Sequence, residues 1–141
     1  YNSLYDRSQV LPTTSPMILS DMHRAELLDN IRNVMESTDE FCSPDFSIER
    51  LAQLVDSNSR YVSEAINDGY GKNFRTFLNE YRIREAMRRL ADSERFGGFT
   101  IKAIAESVGY KSQANFITVF TKTTGMKPSM YQKISKERVL D

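Results

Sequence analysis

Apolar residues along this chain recur at steps of three and four, the period of a helix buried on one face. From Asp21 onward, Met22, Leu27, Leu28, Ile31, Val34 and Met35 predict a helix over 21–37 with an acidic outer face of Glu26, Asp29 and Glu36. Ser47 reads as an N-cap ahead of Ile48, Leu51, Ala52 and Val55, which predicts a helix over 48–55. Asp56-Ser57-Asn58 reads as a turn. A helix over 59–68 then points Val62, Ala65 and Ile66 inward, and Gly69 and Gly71 end it. The longest helix is expected over 73–92, with an apolar stripe of Phe74, Phe77, Leu78, Tyr81, Met87 and Leu90. Arg75, Arg82, Arg84, Arg88 and Arg89 fall on its other faces. Beyond Gly97-Gly98, Thr100 caps a helix over 101–108 and Ser112 caps another over 113–123. Gly125 stops the latter. Pro128 opens a last short helix that brings in Met130, Tyr131 and Ile134.

Two halves of this pattern match each other. Ile48, Leu51, Ala52 and Val55 lie 53 residues before Ile101, Ile104, Ala105 and Val108. One extra residue in the second turn makes the offset 54, which pairs Val62 with Phe116, Ile66 with Phe120, Gly71 with Gly125, Phe74 with Pro128 and Phe77 with Tyr131. A fixed spacing over nine positions with one slip points to a duplicated unit. Each unit is a short helix, a tight turn and a second helix, the helix-turn-helix pattern. Ala52 and Ala105 are small where the first helix crosses close over the second. The expected fold is all-α: two helix-turn-helix subdomains joined by a long linker helix and preceded by an extra N-terminal helix.

The expected organisation is a linker over 1–20, with Pro12-Thr13-Thr14-Ser15-Pro16 at its centre, and an N-terminal helix and connection over 21–45. The duplicated domain is expected over 46–134, divided into a first unit at 46–72, the linker helix at 73–92, a second unit at 100–124 and the last helix at 127–134; a tail covers 135–141. Twenty helical residues reach about 30 Å, close to the roughly 34 Å between successive major grooves on one side of B-DNA.

The formal net charge is zero, which argues at first against nucleic acid. Its distribution changes that reading. Residues 1–40 carry three basic residues against seven acidic ones, whereas residues 41–141 carry 16 against 12. Residues 111–138 hold Lys111, Lys122, Lys127, Lys133, Lys136 and Arg138 against Glu137 alone, enough for a positive face on a neutral molecule. No apolar run approaches the ~18 residues of a membrane span. Cys42 is the only cysteine, so no internal disulfide forms, and a reducing cytoplasm is the expected setting. The first residue is Tyr1, and the chain reads as a piece of a longer protein.

The stretch Ile101-Lys102-Ala103-Ile104-Ala105-Glu106-Ser107-Val108-Gly109-Tyr110, followed by Ser112, Phe116, Phe120, Gly125, Pro128 and Tyr131, resembles the AraC/XylS family of bacterial transcription regulators. Asn79-Glu80-Tyr81-Arg82-Ile83-Arg84-Glu85-Ala86 is similar to that family's linker helix, and the resemblance covers about residues 46–134. It implies sequence-specific binding of double-stranded DNA by two recognition helices in the major groove. It also implies action on RNA polymerase, and a sensor domain elsewhere in the same chain, with the full-length protein cytoplasmic or anchored in a membrane by another part. The exposed positions around Val62 and Phe116 are the implied base contacts: Arg60, Ser63 and Glu64 in the first unit, and Gln113, Ala114, Asn115, Ile117 and Thr118 in the second. Arg60 can bridge guanine O6 and N7, Gln113 and Asn115 can bridge adenine N6 and N7, and Glu64 can only accept, for instance from cytosine N4. Ala114 and Ile117 touch a thymine methyl or are plain surface. Donors for phosphate stand at helix ends and turns: Asn58, Ser59, Lys72, Asn73, Lys111, Ser112, Lys122 and Lys127. One departure matters. Where the family commonly has basic residues late in the first recognition helix, this chain has Asn67 and Asp68, so the first unit is expected to hold DNA more weakly.

No enzyme signature, cofactor motif or zinc spacing is present: Gly69-Tyr70-Gly71-Lys72 is too short for a phosphate loop, and His23 stands alone. The rival reading is a protein-interaction module that docks on RNA polymerase or another regulator.

Overall fold

The computed structural model describes residues 16–140, and within them the fold is all-helical. Helix α1 (Pro16–Ser37) is followed by a single 3₁₀ turn (Glu40–Cys42). The first helix-turn-helix unit comprises α2 (Ile48–Leu54) and α3 (Ser59–Tyr70). The linker is α4 (Phe74–Ala91), with a short α5 (Ser93–Phe96) behind it. The second unit comprises α6 (Ile101–Ser107) and α7 (Gln113–Thr124), and α8 (Pro128–Leu140) follows. Among the described residues no helix is long and apolar enough to cross a membrane.

Side-chain caps set the helix starts. Ser47, Asn58, Asn73, Thr100 and Ser112 each accept a hydrogen bond from the backbone N–H three residues on, satisfying a donor the helix cannot. α3 and α7 both end in a left-handed glycine, Gly71 (φ 68°) and Gly125 (φ 84°).

The hydrophobic residues divide into two cores. Ile31, Met35, Phe41, Phe46, Leu51, Val62, Ile66, Phe77 and Leu78 fill the first; Ile83, Ala86, Leu90, Ile104, Val108, Tyr110, Phe116 and Phe120 fill the second. α4 serves both, giving its first half to one core and its second half to the other, on different faces. Its 18 residues span about 27 Å at 1.5 Å each. α1 packs on the first unit, and its Leu28 lies over α3 at Gly69, where a Cβ would sit 2.5 Å from the Leu28 methyl. Gly69 is therefore a packing residue inside the helix, and Gly71 alone ends it.

The structure corrects several expectations. Arg82 is buried, 8% exposed, not on an outer face. Its Nε donates to Phe41 O and its Nη2 to Ser43 O, both at 2.8 Å, and its guanidinium lies 5.5 Å from the centre of the Tyr110 ring. Three separate pieces of chain, the 41–43 segment, α4 and the second unit's turn, thus meet on one cation. Burial lowers the pKa of Arg82, yet a guanidinium stays charged in proteins. Met22, Met130 and Ile134 are exposed rather than inward-facing, because no other element among the described residues covers that side of their helices; Tyr131 does pack on the second core. The stretch expected as a linker over 1–20 is helical from Pro16, and residues 1–15 lie outside the described ones. The expected tail at 135–141 is also helical as far as Leu140, since residues 129–140 contain no glycine or proline to stop it.

Candidate nucleic-acid interface

The two units repeat down to single hydrogen bonds. In the first turn Ser57 N donates to Ala52 O at 2.8 Å; in the second, 53 residues on, Tyr110 N donates to Ala105 O at 3.0 Å. Both turns need one residue with positive φ, Asp56 (φ 56°) and Gly109 (φ 107°). Aspartate is among the few side chains that tolerate this region. Gly109 has a second constraint: a Cβ there would lie 2.8 Å from the Arg82 guanidinium. The extra residue of the second turn is Lys111, which precedes the cap Ser112.

Helical spacing gives α3 and α7 an inner face of Val62, Ala65 and Ile66, or of Phe116 and Phe120, all buried. In the first unit the outer face is largely engaged with itself. Arg60 Nε bonds Glu64 Oε2 at 3.3 Å, and Asn67 Nδ2 donates to Ser63 O at 2.8 Å. Asp68 is held from the side by Arg24 of α1 at 3.3 Å. In the second unit Gln113, Ala114, Asn115 and Thr118 are exposed, and the Thr118 hydroxyl donates back to Ala114 O at 3.0 Å. Ile117 is half-buried against the second core. α7 carries no acidic side chain, whereas α3 carries Glu64 and Asp68. The second unit therefore presents the more favourable surface to an anion.

The expected phosphate donors are not equivalent. Asn58, Asn73 and Ser112 already accept capping hydrogen bonds, which leaves the amide N–H groups of the two asparagines and the serine O–H free to donate outward. Ser59 is half-buried at the start of α3. Lys72 is drawn onto Glu80, so its charge is largely answered within the chain. Lys111 has Asp45 at 3.6 Å, with both side chains mostly exposed. Lys122 and Lys127 are exposed, and among the described residues neither has a carboxylate within 4.0 Å. Tyr61 went unnoticed in the sequence: it is 56% exposed on the first turn of α3. The signal that could have found it is the repeat register itself, since 54 residues on stands Asn115.

Comparison with known proteins places this geometry. The helix-turn-helix domain family matches residues 51–134, more than half of the chain. The chain belongs to the AraC/XylS family. It is 28% identical over 114 residues to the HTH-type transcriptional regulator YtdP of Bacillus subtilis, a match that covers 81% of this chain and 14% of that protein. The chain spans less than half the length of the curated relatives it matches, among them YobQ of the same organism (34%) and the transcriptional activator RhaR of Salmonella dublin (40%). A DNA-binding transcriptional dual regulator from Escherichia coli K-12 superposes with a TM-score of 0.65 at 26% identity, over 77% of this chain and 94% of that one. The same fold is found in the DNA-binding domain of AdpA, solved in complex with a target DNA, with a TM-score of 0.63 at 20% identity over 79% and 94% of the two chains. This chain is thus a helix-turn-helix DNA-binding domain of a transcription regulator of the AraC/XylS family.

Proposed function

We propose that α3 and α7 are two recognition helices that enter successive major grooves on one side of duplex DNA, held apart by α4. The reading rests on one observation: two copies of the same turn, with matching caps and matching hydrogen bonds, sit at opposite ends of one helix about 27 Å long. The duplex repeat is about 34 Å, of the same order as that length.

Residues 46–134 form the DNA-binding domain on this reading, with α1 and its connection as a buttress behind the first unit. Gln113, Asn115, Ala114 and Thr118 carry base recognition in the second unit. Arg60, Ser63 and Glu64 do so in the first, once Arg60 is released from Glu64; an exposed i,i+4 pair of this kind is worth only about 0.3–0.5 kcal/mol. Phosphate is held by Lys111, Lys122 and Lys127, by the N–H groups of Asn58 and Asn73 and by the hydroxyls of Ser59 and Ser112; Lys72 contributes least. The second unit supplies most of the affinity and the first adjusts it. The domain is the output of a larger regulator whose sensor domain lies elsewhere in the protein and whose DNA-bound form acts on RNA polymerase.

Selection of bound sequences from random duplexes tests the proposal. Two short conserved blocks separated by about one helical turn (10–10.5 bp) are expected, with the stronger block assigned to the second unit by the Gln113→Ala variant. A selection that enriches nothing, or affinity insensitive to salt, overturns it.

A further inference from the structure

A stripe runs along α4 at helical spacing through Phe77, Tyr81, Arg84, Glu85 and Arg88. Its first half packs into the first core. Past Tyr81 the first core ends and the stripe becomes charged. Here it forms one wall of a groove of about 580 Å³, closed on the other side by the end of α1 and the 38–41 connection and at its far end by Arg95 of α5. Met35, Phe41 and Tyr81 back it. No residue of α3 or α7 lines it, so it is separate from the proposed reading surface.

Four arginines face this groove: Arg84, Arg88, Arg89 and Arg95. Arg88 and Arg89 share one carboxylate, Glu85, to which both donate. Burial alone would raise the Glu85 pKa, but those hydrogen bonds hold it below the usual carboxylate range. Arg84 and Arg95 are different. Arg84 lies 4.8 Å from the centre of the Tyr81 ring and Arg95 lies 5.6 Å from that of Phe96. Among the described residues neither has a carboxylate within 4.0 Å. Both are exposed. Stacking holds a guanidinium flat while leaving its N–H fork free to take a carboxylate in the bidentate manner.

We propose that this groove is a docking site for an acidic segment of a protein partner, with Arg84 and Arg95 as the two receiving cations. Charge complementarity selects the occupant. Glu36 and Asp39 stand on the opposite wall and repel any anion, most of all the unbroken row of phosphates of a duplex; carboxylates spaced by intervening residues can meet the arginine wall while keeping clear of them. The position also gives docking a consequence. Arg89 reaches from the groove to Ser107 O at the end of α6, at 3.0 Å, and 3.9 Å from the sulfur of Cys42, which packs on both cores. An occupant therefore braces the joint between the two units.

The test uses a fluorescein-labelled peptide that alternates glutamate and leucine, its lysine-for-glutamate counterpart, and the R84Q/R95Q double variant, whose exposed substitutions leave both cores intact and avoid placing new negative charge near a duplex. Anisotropy should show binding of the glutamate peptide alone, weakened about tenfold or more in the variant. Backbone amide NMR shifts should appear at residues 35–41 and 84–95 and not on α7, and affinity for duplex DNA should be unchanged. Equal binding by the variant, equal binding of the lysine peptide, or shifts centred on α7 or α8 overturn the proposal. So does loss of duplex affinity in the variant, which would make the groove part of the DNA surface. Because duplex affinity is read separately, failure of the docking site and failure of the DNA-binding reading are distinguishable.

Discussion

Replacing Arg82 by methionine keeps the buried stem and removes only the head group. That leaves Phe41 O and Ser43 O, each now receiving a charged N–H at 2.8 Å, without their donor. A hydrogen bond to a charged group contributes about 1.5–3 kcal/mol, and the guanidinium over Tyr110 adds on the order of 1 kcal/mol. Against this, burial opposes the cation, as its lowered pKa shows, so the variant recovers part of a desolvation cost. The net loss expected is about 3 kcal/mol, a large share of the roughly 5–15 kcal/mol that holds a domain folded. With a urea m-value of about 2 kcal/mol/M, the midpoint should fall by about 1.5 M. Urea unfolding followed by circular dichroism reads this directly. Arg75→Met, at an exposed position on the same helix, should cost within about 0.5 kcal/mol. Because Arg82 fastens the second unit's turn to the 41–43 segment, the variant should also lose duplex affinity under conditions where it is still fully folded. A stability loss below about 1 kcal/mol with full duplex affinity would refute the idea that Arg82 locks the two units together.

The two turn residues should respond differently to similar changes. Gly109→Ala places a Cβ 2.8 Å from the Arg82 guanidinium at φ 107° and should destabilise by about 2–4 kcal/mol in the same assay, combining backbone strain with displacement of a buried cation. Asp56→Gly, at the matching place in the first turn, should change stability by less than about 1 kcal/mol. In binding to selected duplexes, Gln113→Ala and Asn115→Ala should each cost about 1–3 kcal/mol at one base pair. Lys127→Ala should weaken all sequences alike and reduce the salt slope by about one unit, measured by fluorescence titration at several salt concentrations. Burial raises the pKa of the Cys42 thiol to about 11, although nearby Arg89 pulls the other way. At pH 8 its thiolate fraction is about 100-fold below that of an ordinary thiol, so labelling by a disulfide reagent should be slow in the folded protein and ordinary in urea. The raised pKa means this thiol favours the fold up to about pH 9 and ceases to do so as pH passes about 11.

The helices, their caps and the duplication were legible along the chain, because the apolar period, the capping residues and the stop glycines are local signals. Ser47 and Thr100 act on their own helices, and a 53-residue offset needs no tertiary knowledge. What the sequence could not assign was the destination of polar side chains that leave the helix on which they stand. Arg82 looks like its neighbours Arg75 and Arg84 on one strand of letters, yet it is buried, because two distant carbonyls and a tyrosine ring converge on it while Arg84 faces an open groove. Gly69 looks like a helix stop and is a contact for Leu28. Lys72 reads as a phosphate donor, and the sequence alone does not show that its ammonium lies against Glu80. Met130 and Ile134 have the right spacing for a buried stripe but, among the described residues, no neighbour to bury against. Period decides which face of a helix is apolar; only the packing of other helices decides whether that face is covered, and which charges find partners from far along the chain.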